Sequence, residues 1–157
     1  ADFDLDLVMF ECDKEKRCLD EKHMIYYHNL EDPEHAIKHS GDNRTGAGDG
    51  DDESATIKFA NISDKVEAII IVVSIYNAKA NGQNFGLVDN AYIRMVNTET
   101  GEEILRYDLG EDFSTQTSVV FAEVYKNNGE WKFRAVGEGY EKELEALCYE
   151  YGLEVDN

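Results

Sequence analysis

The stretch EAIIIVVSIY, Glu67 to Tyr76, decides how the rest of the chain is read. Its β-branched residues fit a pleated backbone better than a helix. Apolar side chains occupy both parities of the run, so a strand here is covered on both faces and belongs in the middle of a sheet. The run from Ala68 to Tyr76 is strand length, far short of the roughly 20 apolar residues a membrane helix needs.

Partners for this strand lie on both sides of it. FDLDLVMF alternates, with Phe3, Leu5 and Leu7 on one face and Asp2, Asp4 and Asp6 on the other. TSVVFAEVYKNNGEWKFRAVGEGY reads as a long hairpin turning at Asn127, Asn128 and Gly129. HMIYYH (His23 to His28), ATIKFANI, AYIRMVN and ILRYDL read as shorter strands, with NAKANGQNFG a loop and TETGEE a turn. One helix closes the chain. In YEKELEALCYEYG, Leu144, Leu147, Cys148 and Tyr151 recur at i, i+3, i+4 and i+7, and Gly152 stands where a helix-ending glycine belongs. Trp131 and Cys148 are expected in the core. The pattern predicts a mainly β fold: a two-sheet β-sandwich with a few short helices and a C-terminal helix, in one domain over residues 1–157.

Charge narrows the function. The 157 residues carry a net charge of −19. Phosphate recognition needs clustered Lys and Arg, so a nucleic-acid partner is excluded, and an anionic membrane surface is disfavoured. With no signal peptide and no spanning run, the expectation is a cytoplasmic protein without direct membrane insertion. Cys12, Cys18 and Cys148 are odd in number and form no C-x-x-C, which fits a reducing compartment. Cys12 and Cys18 flank the polar turn DKEKR, which leaves a disulfide or a soft-metal role open.

The chemistry concentrates in GDNRTGAGDGDDE, Gly41 to Glu53, where five carboxylates and four glycines share thirteen residues. Two like charges about 4 Å apart repel by roughly 1 kcal/mol in water and about 4 at an effective dielectric of 20. A bound cation turns that repulsion into coordination. Ca²⁺ takes six to eight oxygens, from carboxylates, carbonyls and water, and tolerates irregular geometry better than Mg²⁺. Asp42, Asn43, Asp49, Asp51, Asp52 and Glu53 offer side-chain oxygens. Gly46, Gly48 and Gly50 let carbonyls turn inward. Hard oxygen donors favour Ca²⁺ over zinc. Asp4 and Asp6 form a second acidic set able to cover the same ion. The EF-hand pattern fails at Arg44, Gly46 and Ala47, and the flanks are strands. The bland reading is a solvated acidic hairpin loop. His35 and His39, spaced i, i+4, are a weaker zinc alternative with no evident third ligand.

At this point the chain resembles the TerD family of tellurite-resistance and stress-response proteins. The resemblance is carried by FDLDLVMF, HSGDNRTGAGDGDDE, IIIVVSIYNAKANGQNFG, DNAYIRMVN, RYDLGEDFSTQTSVVFAEVYKNNGEWKFRAVGEGY and the final helix, nearly the whole chain. It implies a β-sandwich that binds two Ca²⁺ ions side by side, without enzymatic activity. It implies other proteins of the resistance system as partners, some of them membrane-associated. Carried over by residue, the ligands are Asp4, Asp6, Asp42, Asn43, Asp49, Asp51, Asp52 and Glu53, with backbone carbonyls near Thr45 and Gly46. Asn84 is expected at the same end of the sandwich. Family members carry a further segment ahead of the D-L-D motif, whereas this sequence begins at Ala1. Two rival functions stay in view: a metal-dependent hydrolase using the same acidic cluster, and oxyanion binding through the thiols.

Overall fold

The computed structural model describes residues 5–41, 53–88, 91–141 and 144–153. In chain order the elements are β1 (Leu5–Cys12), β2 (Met24–Ile25), β3 (Ile37–His39), β4 (Ala55–Ile57), β5 (Ala68–Ile75), α1 (Ala78–Asn81), β6 (Tyr92–Val96), β7 (Glu103–Asp108), α2 (Leu109–Asp112), β8 (Ser118–Asn127), β9 (Glu130–Tyr140) and α3 (Leu144–Glu150). The apolar run of the opening stretch is β5, and every residue in it is buried. It lies at the centre of a five-stranded sheet ordered β2-β1-β5-β8-β9. β1 runs antiparallel to it from Leu5↔Ile75 to Cys12↔Ala68. β8 and β9 close the other side as the expected hairpin. Asn128 (φ 53°) and Gly129 (φ 79°) form its two-residue turn, both with the positive φ that matches the strands' twist.

Two layers cover the sheet. On one face sit the ladders β3–β4 and β6–β7, which pack Ile37, Ile57, Ile93 and Leu105 against Met9, Ile71, Val73 and Phe121. This is the sheet-on-sheet layering expected of a mainly β fold, with the second layer divided between two hairpins. On the other face lies α3, whose Leu147 and Cys148 pack with Val8, Phe10, Ile70 and Val72. The helix ends in a Schellman arrangement. Leu153 N–H reaches Cys148 C=O at 2.9 Å and Gly152 N–H reaches Tyr149 C=O at 3.1 Å. Gly152 sits at φ 80° there, a left-handed conformation that suits glycine.

Several local expectations change. Both faces of β1 are buried, so Asp6 is not on a solvent face. It is 1% exposed and shares its side of the strand with Val8 and Phe10. The strand over His23 to His28 shrinks to Met24–Ile25, because Tyr26 and Asn29 exchange backbone hydrogen bonds of 3.0 and 2.9 Å in a tight turn. ATIKFANI leaves the strand after Ile57 and forms a 3₁₀ turn over Phe59–Asn61. The loop NAKANGQNFG contains α1 and a 3₁₀ turn over Phe85–Leu87. Trp131 is only partly buried, its ring 5.9 Å from that of Phe59.

Candidate metal centre

β3 and β4 pair through Ile37↔Ile57, Lys38↔Thr56 and His39↔Ala55, so the acidic glycine stretch is the connection between them. The base of that connection is fixed. Ser40 N–H donates to Ser54 C=O at 2.7 Å, and Ser54 N–H donates to Ser40 Oγ at 2.9 Å. Asp4, Asp42, Asn43, Thr45, Gly46, Asp49, Asp51 and Asp52 lie outside the described residues. Glu53 and Asp6 lie within them.

Glu53 is held at the edge of the main sheet. β2 pairs with β1 only at Met9 and Phe10, so among the described residues the outward N–H and C=O of Leu7 meet no strand. Side chains take the strand's place. Glu53 Oε1 accepts from Leu7 N–H at 3.0 Å. His39 Nε2 donates to Leu7 C=O at 2.9 Å and approaches Glu53 Oε1 at 3.2 Å. On the other side of the ring, Nδ1 accepts from Gly41 N–H at 2.9 Å. A nitrogen that accepts carries no hydrogen, which places the ring proton on Nε2. Both ring nitrogens are therefore committed to holding the loop base, and His39 is not a poised general base. His35, the other half of the i, i+4 pair, sits in a turn on the surface and pairs with Glu31 at 2.9 Å. The two histidines do not converge.

The second oxygen of Glu53 carries the argument. The side chain is 4% exposed, and Oε2 is buried with no hydrogen-bond partner among the described residues. A buried polar atom without a partner costs about 1–3 kcal/mol, and more when it is charged. The atom belongs to the last residue of a stretch rich in hard oxygen donors, which fits Ca²⁺. Glu53 also lines an apolar cleft of roughly 450 Å³ between the sheet and β6–β7, walled by Leu5, Leu7, Val73, Ile93 and Met95. Asp6 is one residue from the Leu7 contact but leaves the strand on the opposite face. Asn84 follows β5, at the end of the sheet where β1 begins, and lines a separate cleft with Gln83, Thr117 and Glu141. Sequence reading singled out Glu53 and missed its partner. The i, i+4 spacing drew attention to His39 as a zinc ligand, whereas its role comes from the missing strand beside Leu7.

The thiols are placed for packing. Cys12 and Cys18 are antiparallel bridge partners, as the turn predicted, and both are free and buried beside Cys148 in the helix-side core. Burial pushes Cys12 far up, Cys18 to about 12 and Cys148 to about 11. Thiols held protonated are poor nucleophiles and poor soft-metal ligands, which weakens the oxyanion-through-thiol reading. Among the described residues no helix is long and apolar enough to cross a membrane.

Comparison with known proteins bears on the family and the fold. The TerD domain model matches residues 1–151. The tellurium resistance protein TerD of Serratia marcescens is 47% identical over 152 residues, covering 97% of this chain and 79% of that protein. General stress protein 16U of Bacillus subtilis (strain 168) is 46% identical over 154 residues, covering 98% and 80%. The crystal structure of a homologue of telluride resistance protein (TerD) from Streptomyces coelicolor A3(2) superposes with a TM-score of 0.80 at 22% identity, over 94% of this chain and 85% of that one, which shows the shared fold. The chain belongs to the TerD domain family, which includes tellurium-resistance and general stress proteins.

Proposed function

We propose that this protein is a non-catalytic Ca²⁺-binding module of a tellurium-resistance and stress-response system. It holds two ions through Gly41–Glu53 and presents the ion-ordered surface to other proteins of that system in the cytoplasm, membrane-associated ones among them. The supporting observation is Glu53, anchored through Oε1 to Leu7 and His39 while its buried Oε2 meets no donor among the described residues. The anchor fixes one candidate ligand to the sheet, and a sequence that alternates glycine with oxygen donors suits an ion that takes six to eight oxygens. Ordering the loop beside the apolar cleft would then couple ion binding to the shape of a partner surface. Calcium supplies charge neutralisation and coordination here, and the chain's own residues supply placement. The hydrolase alternative gains no support from His39, whose two nitrogens are both engaged.

The test is isothermal titration of chelator-treated protein with Ca²⁺ against excess Mg²⁺. Two Ca²⁺ per chain at micromolar affinity or tighter, weakened at least tenfold by Glu53→Gln, is the expected result. No Ca²⁺ heat, or binding indifferent to Glu53→Gln, would overturn the reading.

A further inference from the structure

A second group of metal-ligating side chains lies away from the acidic stretch, at the other end of β1. Glu11 leaves β1 on the side of Met9. The antiparallel register Met9↔Ile25, Phe10↔Met24 continues to Glu11 opposite His23, the residue just before β2. The turn at Asp32–His35 brings Glu34 over both: His35 N–H closes it on Asp32 C=O at 3.1 Å. One ligand atom each from Glu11, His23 and Glu34 lies within 4.8 Å of the others.

Four observations bear on what fills the space between them. Glu11 is 0% exposed, and neither of its carboxylate oxygens meets an N–H or hydroxyl donor among the described residues; the group within hydrogen-bonding reach is the Asp32 carboxyl. Behind it stands Asp32, 1% exposed. Its Oδ1 takes the N–H groups of Ala36 (2.7 Å) and Ile37 (3.0 Å), while its Oδ2 is buried and meets no N–H or hydroxyl donor among the described residues. His23 is clamped at Nδ1 by Asp20 Oδ1 at 2.6 Å and points Nε2 at Glu34 Oε1, 2.8 Å away. Among the described residues, no lysine or arginine forms an ion pair with Glu11, Asp20, Asp32 or Glu34. Asp20 and Glu34 thus contact one imidazole, with Glu11 close by and Asp32 beside Glu11, and among the described residues no lysine or arginine is paired with the four carboxyls.

We propose that Glu11, His23 and Glu34 form a second metal site, separate from the Ca²⁺ loop, that takes a nitrogen-accepting dication of the Zn²⁺ type. An imidazole nitrogen with two carboxylates suits Zn²⁺, whereas Ca²⁺ prefers oxygen donors alone. The Asp20–His23 contact is the carboxylate–imidazole arrangement that orients a metal-bound histidine and leaves its far nitrogen for the ion. With zinc–ligand distances of about 2.0–2.1 Å, neighbouring ligand atoms in a tetrahedron stand about 3.4 Å apart. The 2.8 Å gap between His23 and Glu34 opens by about half an ångström when the ion replaces the proton between them, a movement the turn-borne Glu34 side chain supplies. Glu34 and Asp20 are 31% and 55% exposed and form the entrance, and Glu11 forms the floor.

The experiment titrates Zn²⁺ into chelator-treated full-length chain held in millimolar Ca²⁺, on wild type, Glu34→Gln, Glu11→Gln, Asp20→Asn and Glu53→Gln. One Zn²⁺ per chain at micromolar affinity or tighter is expected. Glu34→Gln and Glu11→Gln should weaken it more than tenfold, and Asp20→Asn by about tenfold, in the range for outer-shell partners. Glu53→Gln should leave it unchanged, so failure of the calcium reading and failure of this one are separately visible. Zn²⁺ should also raise the melting temperature of wild type but not of Glu34→Gln. That variant is partly exposed and folds even where Glu11→Gln does not. Absence of Zn²⁺ binding would overturn the proposal and leave the carboxyls of Glu11 and Asp32 sharing a proton. So would Zn²⁺ binding that survives Glu34→Gln and is lost in Glu53→Gln.

Discussion

Replacing Glu53 by Gln should change sign with calcium. In metal-free protein the carboxylate places a charge in a site where, among the described residues, only Oε1 is satisfied, by Leu7 N–H and His39 Nε2. The amide keeps a carbonyl oxygen for those two donors and removes the charge. It loses the charge-assisted part of the His39 contact and introduces an NH₂ group that meets no acceptor among the described residues. The balance of a buried charge against a buried neutral amide favours the variant by about 1 kcal/mol. At this chain length a kilocalorie moves the melting temperature by about 2–4 °C. With Ca²⁺ at a hundredfold excess over Kd, mass action stabilises wild type by about 2.7 kcal/mol per site, or roughly 5–11 °C, and the variant forfeits most of the gain at the site it serves. Differential scanning fluorimetry of both proteins, in chelator and in Ca²⁺, reads all four values. The two proteins should cross: the variant melts higher in chelator and lower in Ca²⁺. A variant destabilised by the same amount in both conditions would mean that Glu53 serves only to cap Leu7, and the reasoning from Oε2 would fail.

Four further outcomes are expected. Gly152→Ala should cost about 1 kcal/mol, or 2–4 °C, because φ 80° suits glycine and not alanine, although the nearest Arg17 atom leaves room at 3.5 Å. Leu147→Ala, at a fully buried position between helix and sheet, should cost about 2–5 kcal/mol in a urea melt. Native protein should react slowly with a thiol-specific disulfide reagent and release three equivalents only in guanidinium, and a fast native equivalent would contradict the burial of all three cysteines. In chelator, wild type should lose stability relative to Glu11→Gln as pH rises. Burial, then the neighbouring Asp32, Glu34 and Asp20, raise Glu11 from 4.5 to about 9, so folding holds a proton that the unfolded chain releases. Below pH 4.5 both states are protonated and the penalty is absent. It accumulates between pH 4.5 and 9 at about 1.4 kcal/mol per unit, which is roughly 3–4 kcal/mol by neutral pH and about 6 at the top of the window. His23, raised by Asp20 and Glu34 against the lowering effect of burial, adds a loss of the same sign above pH 6.5. The comparison with Glu11→Gln separates the two, and a flat difference between pH 5 and 9 would show that Glu11 is ionised in the fold.

The central strand was legible because its signal is local. Nothing but burial on both faces explains eight consecutive apolar or small residues with β-branched character, and β5 is buried throughout. The β8–β9 turn and the Gly152 helix end were legible for the same reason, since each depends on a residue that tolerates positive φ. The polar face assigned to β1 was not. Alternation in FDLDLVMF describes one end of the strand. Whether the opposite face meets water depends on what packs there, and α3, more than a hundred positions away, covers Val8 and Phe10 on the side where Asp6 is also buried. The short strands were over-extended because propensity does not mark where a partner strand stops.

The same distinction separates the two candidate metal sites. The acidic glycine stretch announces itself, because its donors are contiguous and mutual repulsion in thirteen residues demands an explanation. The anchor of that stretch does not, because it exists only where β2 fails to reach Leu7. Glu11, His23 and Glu34 are spread over twenty-four residues, and no spacing rule connects a strand, a turn before a strand and a hairpin tip. One signal was nevertheless present. Glu11 interrupts VMFEC within a strand whose neighbours are apolar, and a carboxylate at such a position either faces water or has a buried partner. Once β5 is known to be covered on both faces, the strand paired along its whole length is covered too, and water is no longer available to Glu11. The carboxylates it then meets, Asp32 and Glu34, raise the electrostatic cost. Such a cluster persists in a fold only if something positive balances it, a proton or an ion, and the zinc titration decides which.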